Sequence, residues 1–90
     1  MFWVRWAKKA IDEITVAWTN ADSSTRQAIT NASNVIDEHL RTSPLTDSES
    51  RAGGRRILFA RSLGALFRVE ADGVTVSVLH VWLFRTKPKS

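Results

Sequence analysis

The sequence contains no cysteine. That absence excludes disulfide staples, a thiolate nucleophile and cysteine-ligated zinc. Histidine is scarce: His39 and His80 are too few to close a metal site by themselves, so neither a metal nor another cofactor is expected. No apolar run approaches the roughly 20 residues a membrane-spanning helix needs, and no membrane partner is expected. The opening MFWVRWAKKA puts charge after apolar residues, the reverse of a secretory signal, so a reducing cytoplasm is the expected compartment. Ninety residues make one domain, spanning 1–90, with a small core and modest stability. Four tryptophans and four phenylalanines offset the small size by burying large areas.

Acidic residues are scarce in one half only. Residues 1–50 carry five basic side chains against seven acidic ones, a net −2. Residues 51–90 carry eight basic side chains against Glu70 and Asp72 alone, a net +6. A positive half of this kind steers polyanions by Coulomb attraction. Charges spread over an exposed sheet for solubility would give the same count. Six of the eight cations are arginine, whose planar fork suits bidentate phosphate contacts, and this favours the polyanion reading.

Periodicity orders the chain. FWVRW alternates, with Phe2, Val4 and Trp6 on one face and Trp3 and Arg5 on the other, which predicts a short strand. Ala7, Ala10, Ile11, Ile14 and Trp18 follow at helical spacing. A capping box, Ser24 to Gln27, then opens a second helix with the stripe Ala28, Ile29, Ala32, Ile36 and Leu40, and Pro44 ends it. TSPLTDSESRAGG has no period and reads as a loop. Strands are predicted over 55–61, 65–71 and 74–83, with a turn at Ser62–Gly64 and a type I′ hairpin at Asp72-Gly73. The last strand is apolar on both faces, as in a sheet interior, yet carries His80 and runs into a basic tail. The expected fold is α+β: an N-terminal strand, a two-helix antiparallel hairpin and a three-stranded antiparallel meander, with the helices packed on one face of the sheet. The other face should be open and carry part of the arginine set.

Several stretches together resemble the RelE/ParE superfamily, the toxin halves of bacterial toxin–antitoxin pairs. They are Trp6, the AIDEI..AW..A run at 10–21, AI..ASNVIDEHL at 28–40, SPL at 43–45, ESRAGGRRILF at 49–59, LGALFRVEADG at 63–73 and VTVSVLHVWLFR at 74–85. The resemblance implies a sheet covered by two helices and an antitoxin that wraps the toxin, an acidic protein partner. It implies one of two activities: messenger RNA cleavage on the ribosome, or inhibition of DNA gyrase. It also implies basic side chains on the central strands and at the end of the last one. Arg55 and Arg56 match the basic pair after the loop, and Arg85 matches a terminal arginine. The sequence departs from the nuclease pattern in having no tyrosine, and Leu83 stands where several relatives carry histidine. A toxin-like binding module that has lost its catalytic residues is therefore a further expectation.

RNA cleavage through the 2′-hydroxyl requires proton transfer and stabilisation of a crowded phosphorane. Arg68, Arg85 and His80 are the candidate catalytic residues; Arg51, Arg55, Arg56, Arg61, Lys87 and Lys89 are candidate nucleic-acid contacts. Regular alternation puts His80 on one face with Val78 and Trp82. On the open face it can meet RNA beside Arg68; on the covered face it is a core histidine bonded to backbone, and the second placement is the more ordinary one. Trp82 is a candidate partner anchor, with core packing as the plainer role. Gly53-Gly54 among Arg51, Arg55 and Arg56 allows either a weak phosphate cradle or a tight entry into the strand, with Glu49 ordering the loop. His39 is placed on the surface near the C-terminus of the second helix.

Overall fold

The computed structural model describes residues 1–84. Strand β1 (Trp3–Trp6) leads into helices α1 (Lys8–Thr19) and α2 (Ser23–Thr42). A two-residue strand β2 (Glu49–Ser50) and a 3-10 turn (Ala52–Gly54) follow, then β3 (Arg55–Ala60), β4 (Leu63–Val69) and β5 (Thr75–Leu83). The sheet order is β1-β5-β4-β3-β2. The meander β3-β4-β5 is antiparallel, as expected, whereas β1 lies parallel to β5, with Trp3 opposite Thr75 and Trp6 opposite Val78. The intervening elements carry the chain back across the sheet, as a parallel pairing requires. No periodic signal marked β2, because two residues cannot show alternation. Among the described residues no helix is long and apolar enough to cross a membrane.

Both helices cover one face of the sheet. Helix α2 buries Ile29, Ala32, Ile36 and Leu40, and α1 buries Ala10, against Leu58, Leu63, Ala65, Phe67, Val76, Val78 and Val81. Phe2, Val4 and Trp6 of β1 pack on the same core. Each fully buried large side chain contributes on the order of 1.5–3 kcal/mol. The stripe predicted for α1 is rotated: Ile14 and Ala17 meet the core while Ile11 and Trp18 stay exposed. Trp18 is instead covered by the Arg26 guanidinium, 4.4 Å from the ring centroid, which also donates to the Trp18 and Thr19 carbonyls at the end of α1. Asp37 joins β1 to α2 by accepting from Trp6 Nε1 at 3.1 Å and from Arg41 Nε at 2.7 Å.

Two local expectations are corrected. Helix α2 is capped by Asp22, which accepts the Thr25 N–H at 2.7 Å, and not by Ser24. An ionised carboxylate accepts that hydrogen bond and also complements the positive helix N-terminus. The Asp72-Gly73 hairpin is not type I′, because only Gly73, at φ 75°, has positive φ. The turn closes from the Gly73 N–H to the Glu70 carbonyl, and Asp72 accepts from the Val74 and Thr75 amides and from Thr75 Oγ1.

The Thr75 hydroxyl, followed by the Val74 and Thr75 amides, holds the Asp72 carboxyl below its ordinary 3.8. A folded-state value below the unfolded one adds stability above the unfolded value, and that stability is lost as pH falls through the folded value. Urea midpoints should therefore fall as pH drops below 3.8. In Asp72→Asn that part of the acid loss should be absent, and the variant should be the less stable protein at neutral pH. Parallel acid limbs for the two proteins would contradict this role for Asp72.

Candidate functional site

The end of β5 is set by a bulge. Phe67 pairs with Val78 and Leu66 with His80, so Leu79 has no partner on β4. Before the bulge Val76 and Val78 face the helices; after it Val81 does, and His80 and Trp82 turn to the open face. The expectation that Val78, His80 and Trp82 share a face is corrected in this way: the extra residue shifts the period-two pattern by one.

Register places arginines in a row across that open face. Arg55 on β3 is opposite Arg68 on β4, Arg68 is opposite Ser77 on β5, and Ser77 is opposite Arg5 on β1. Four strands at about 4.8 Å spacing make the row about 14 Å long. Ser77 is fully buried beneath it and its hydroxyl accepts from Arg5 at 3.1 Å. Arg68 Nε donates to Glu70 at 2.7 Å. That bond, opposed by desolvation and aided by the charges of Arg68 and Arg5 and by the Ser77 hydroxyl, holds the Glu70 carboxyl below its ordinary value. Arg5 and Arg55 have no carboxylate within ion-pair distance among the described residues, so three guanidiniums face one carboxylate. Arg55 folds back to donate to the Ala52 carbonyl at 3.0 Å, which ties the row to the 3-10 turn.

Two residue pairs further along, about 7 Å from the arginine row, His80 stands opposite Leu66. Its Nδ1 is 3.4 Å from Glu13 Oε1 of α1, with the two side chains 40% and 33% exposed. Beyond it lies an aromatic terrace. The Trp82 ring meets Phe59 edge-on at 6.2 Å between centroids, and Phe59 meets Phe84 at 5.5 Å. Gly64 lies beneath Trp82: a Cβ there would stand 2.4 Å from Trp82 Cε2, so only glycine lets the indole lie down on the sheet.

The sequence candidates thus separate. Arg55, Arg68, His80 and Trp82 come together on the open face. Arg56 points the other way, half-buried, and holds the preceding loop by donating to Ser48 Oγ at 2.7 Å and to the Ser48 carbonyl at 2.9 Å. Arg51 pairs with Glu49 at 3.3 Å beside β2. Arg61 lies in the β3–β4 turn, in a groove with Ala28, Asn31 and Val35 of α2. His39 Nε2 donates to the Thr46 carbonyl at 2.6 Å and pins the same loop. Arg85, Lys87 and Lys89 lie outside the described residues. Sequence reasoning missed Arg5, Glu13, Ser77 and Phe59. The alternation of FWVRW did place Arg5 off the core face, but nothing in the sequence pairs β1 with β5.

Solved structures share this fold. A chain of the ParDE toxin–antitoxin system from P. aeruginosa superposes with a TM-score of 0.73 at 16% identity, over 94% of this chain and 98% of that one. A chain of the RelBE2 toxin–antitoxin complex from Mycobacterium tuberculosis gives 0.72 at 16% identity, over 92% and 91%. The isolated E. coli RelE toxin gives 0.61 at 16% identity, over 97% and 88%. The fold is that of the RelE and ParE toxins. No protein-family model and no curated protein matches the sequence.

Gly64→Ala tests the terrace. The added methyl should drive Trp82 off the sheet at a cost of about 1–3 kcal/mol. In a 15N spectrum the Trp82 indole resonance should shift strongly, while that of Trp6, bonded to Asp37, stays put. An unchanged Trp82 resonance would contradict the close packing.

Proposed function

We propose that the protein is the toxin of a bacterial toxin–antitoxin pair and that it acts as an endoribonuclease on messenger RNA at the ribosome. The observation that carries this reading is the juxtaposition of the Arg55–Arg68–Ser77–Arg5 row with His80 two residue pairs away on the same face. Guanidiniums in a fixed row suit a phosphodiester whose charge grows in the transition state. His80 supplies an imidazole, the side chain most often used for general acid–base transfer. The terrace of Phe59, Trp82 and Phe84 offers stacking surfaces for unpaired bases, the usual companion of a basic groove in single-strand binding. Arg68 exchanges Glu70 for a phosphate oxygen when substrate arrives, so Glu70 keeps the guanidinium ordered in its absence. The antitoxin is expected to be an acidic partner that competes for the same face.

A second reading is inhibition of DNA gyrase without chemistry. The superposition on the ParDE chain, as close as that on the RelBE2 chain, favours it. The arginine row would then bind an acidic protein surface and His80 would be dispensable.

Induced expression separates the two. Under the nuclease reading growth stops with transcripts cut on translating ribosomes. His80→Ala should reduce cleavage by about 10²–10⁴-fold, and Arg68→Ala and Arg5→Ala should each weaken it. Growth arrest with intact transcripts, DNA-damage signalling and full toxicity of His80→Ala would favour the gyrase reading and sink the nuclease one.

A further inference from the structure

Glu13 belongs to none of the features that first drew attention to this face, yet it occupies a constrained position. Strand β1 ends its pairing at Trp6 opposite Val78, and the Ala7 N–H donates to the Val78 carbonyl at 2.9 Å. Beyond that point this edge of β5 has no strand neighbour among the described residues, and α1 takes its place. The Val81 N–H finds its acceptor in Glu13 Oε1 at 3.1 Å. The same oxygen is 3.4 Å from His80 Nδ1. The carboxylate is therefore held against the backbone of the strand that carries the histidine.

We propose that Glu13 is a positioning residue that fixes His80 as the Nδ1–H tautomer and leaves Nε2 unprotonated toward the arginine face, to accept the proton of a ribose 2′-hydroxyl. The proposal rests on the RNA-cleaving reading above for its substrate. A carboxylate only accepts, so a neutral imidazole meets it with Nδ1–H and keeps its lone pair on Nε2. Among the described residues neither ring nitrogen makes a hydrogen bond: Nδ1 stands at ion-pair distance from Glu13, Nε2 has no partner, and the side chain is 40% exposed. The 3.4 Å separation is loose, as is common for such pairs before substrate binds. The charged group against His80 is Glu13 from α1; Arg5 of β1 and Arg68 of β4 stand in the arginine row about 7 Å along the sheet with Glu70 beyond it, and the cross-strand neighbour Leu66 is apolar.

In the step, His80 Nε2 takes the 2′-hydroxyl proton and the 2′-oxygen bonds to phosphorus. The bond from phosphorus to the 5′-oxygen breaks, leaving a 2′,3′-cyclic phosphate. The departing 5′-oxygen is protonated from water, and the imidazolium returns its proton to solvent. No net proton or electron is gained or lost. Glu13 stabilises the imidazolium while it exists, and its effect falls on turnover and not on substrate binding.

The tautomer is measured directly by imidazole 15N shifts of the uniformly labelled protein at alkaline pH. Nδ1–H is expected in the wild type, with a shift of population toward Nε2–H in Glu13→Ala. An Nε2–H wild type, or the same tautomer in both proteins, would overturn the proposal. Steady-state RNA cleavage supplies a second arm: kcat should fall about 10–10³-fold in Glu13→Ala at unchanged KM. Glu13→Gln keeps an acceptor for Val81 and should fold even where the alanine variant does not; it too should lose kcat at unchanged KM. Full kcat in Glu13→Gln would contradict the role assigned to the charge. A wild type with the Nδ1–H tautomer that cuts no RNA would overturn the nuclease reading and the proton transfer, while leaving the tautomer assignment standing.

Discussion

One unpaired residue, Leu79, decides what the last strand presents to solvent. A strand has a period of two, so an extra residue on one side of an antiparallel pair exchanges the faces of everything beyond it. Here the exchange keeps Val76 and Val78 in the core, brings Val81 in after them, and turns His80 and Trp82 outward. The bulge falls just past the last residue pair of β1 and β5. The backbone group left over at that edge, the Val81 N–H, is satisfied by Glu13. A buried or half-buried donor without a partner costs about 1–3 kcal/mol, so the bulge and the α1 carboxylate support each other. The histidine, its carboxylate neighbour and the aromatic terrace all follow from that local irregularity.

The electrostatics of the open face come from topology more than from composition. The net +6 of residues 51–90 is divided among several places: Arg56 and Arg51 stabilise the loop around β2, and Arg61 sits at the far turn. The arginine row is completed by Arg5, from the half of the chain whose net charge is negative. Parallel pairing of β1 beside β5 brings it there. Glu70 moderates the row without neutralising it, since it is the partner of Arg68 and only a more distant neighbour of Arg5. Three cations held within about 14 Å with one carboxylate form an anion-attracting surface that is ordered before any ligand arrives.

Much of this was legible in the residues. The stripe Ile29, Ala32, Ile36 and Leu40 gave α2 its buried face, the alternation of FWVRW gave β1 its two faces, and the order of elements gave an α+β architecture with one covered and one open side. The misses have physical causes. Trp18 looked like core because its spacing fits the stripe, but a guanidinium covers it instead. Asp72-Gly73 looked like a type I′ turn, but the Asp72 carboxylate organises a longer one. Neither the bulge nor the β1–β5 pairing leaves a local mark: Val76 to Leu83 is apolar at most positions on either phase, so the sequence does not reveal where the phase slips. The resemblance read from the sequence and the superposition on solved toxins agree on the fold, and the site on it follows from the register.

The central claim is that register. It is tested most directly by cross-strand nuclear Overhauser effects between β4 and β5 in the labelled protein. The account predicts contacts that place Phe67 opposite Val78 and Leu66 opposite His80, with Leu79 unpaired. Unbroken register, with Leu66 opposite Leu79 and Ala65 opposite His80, would put the histidine among the core residues and contradict the account.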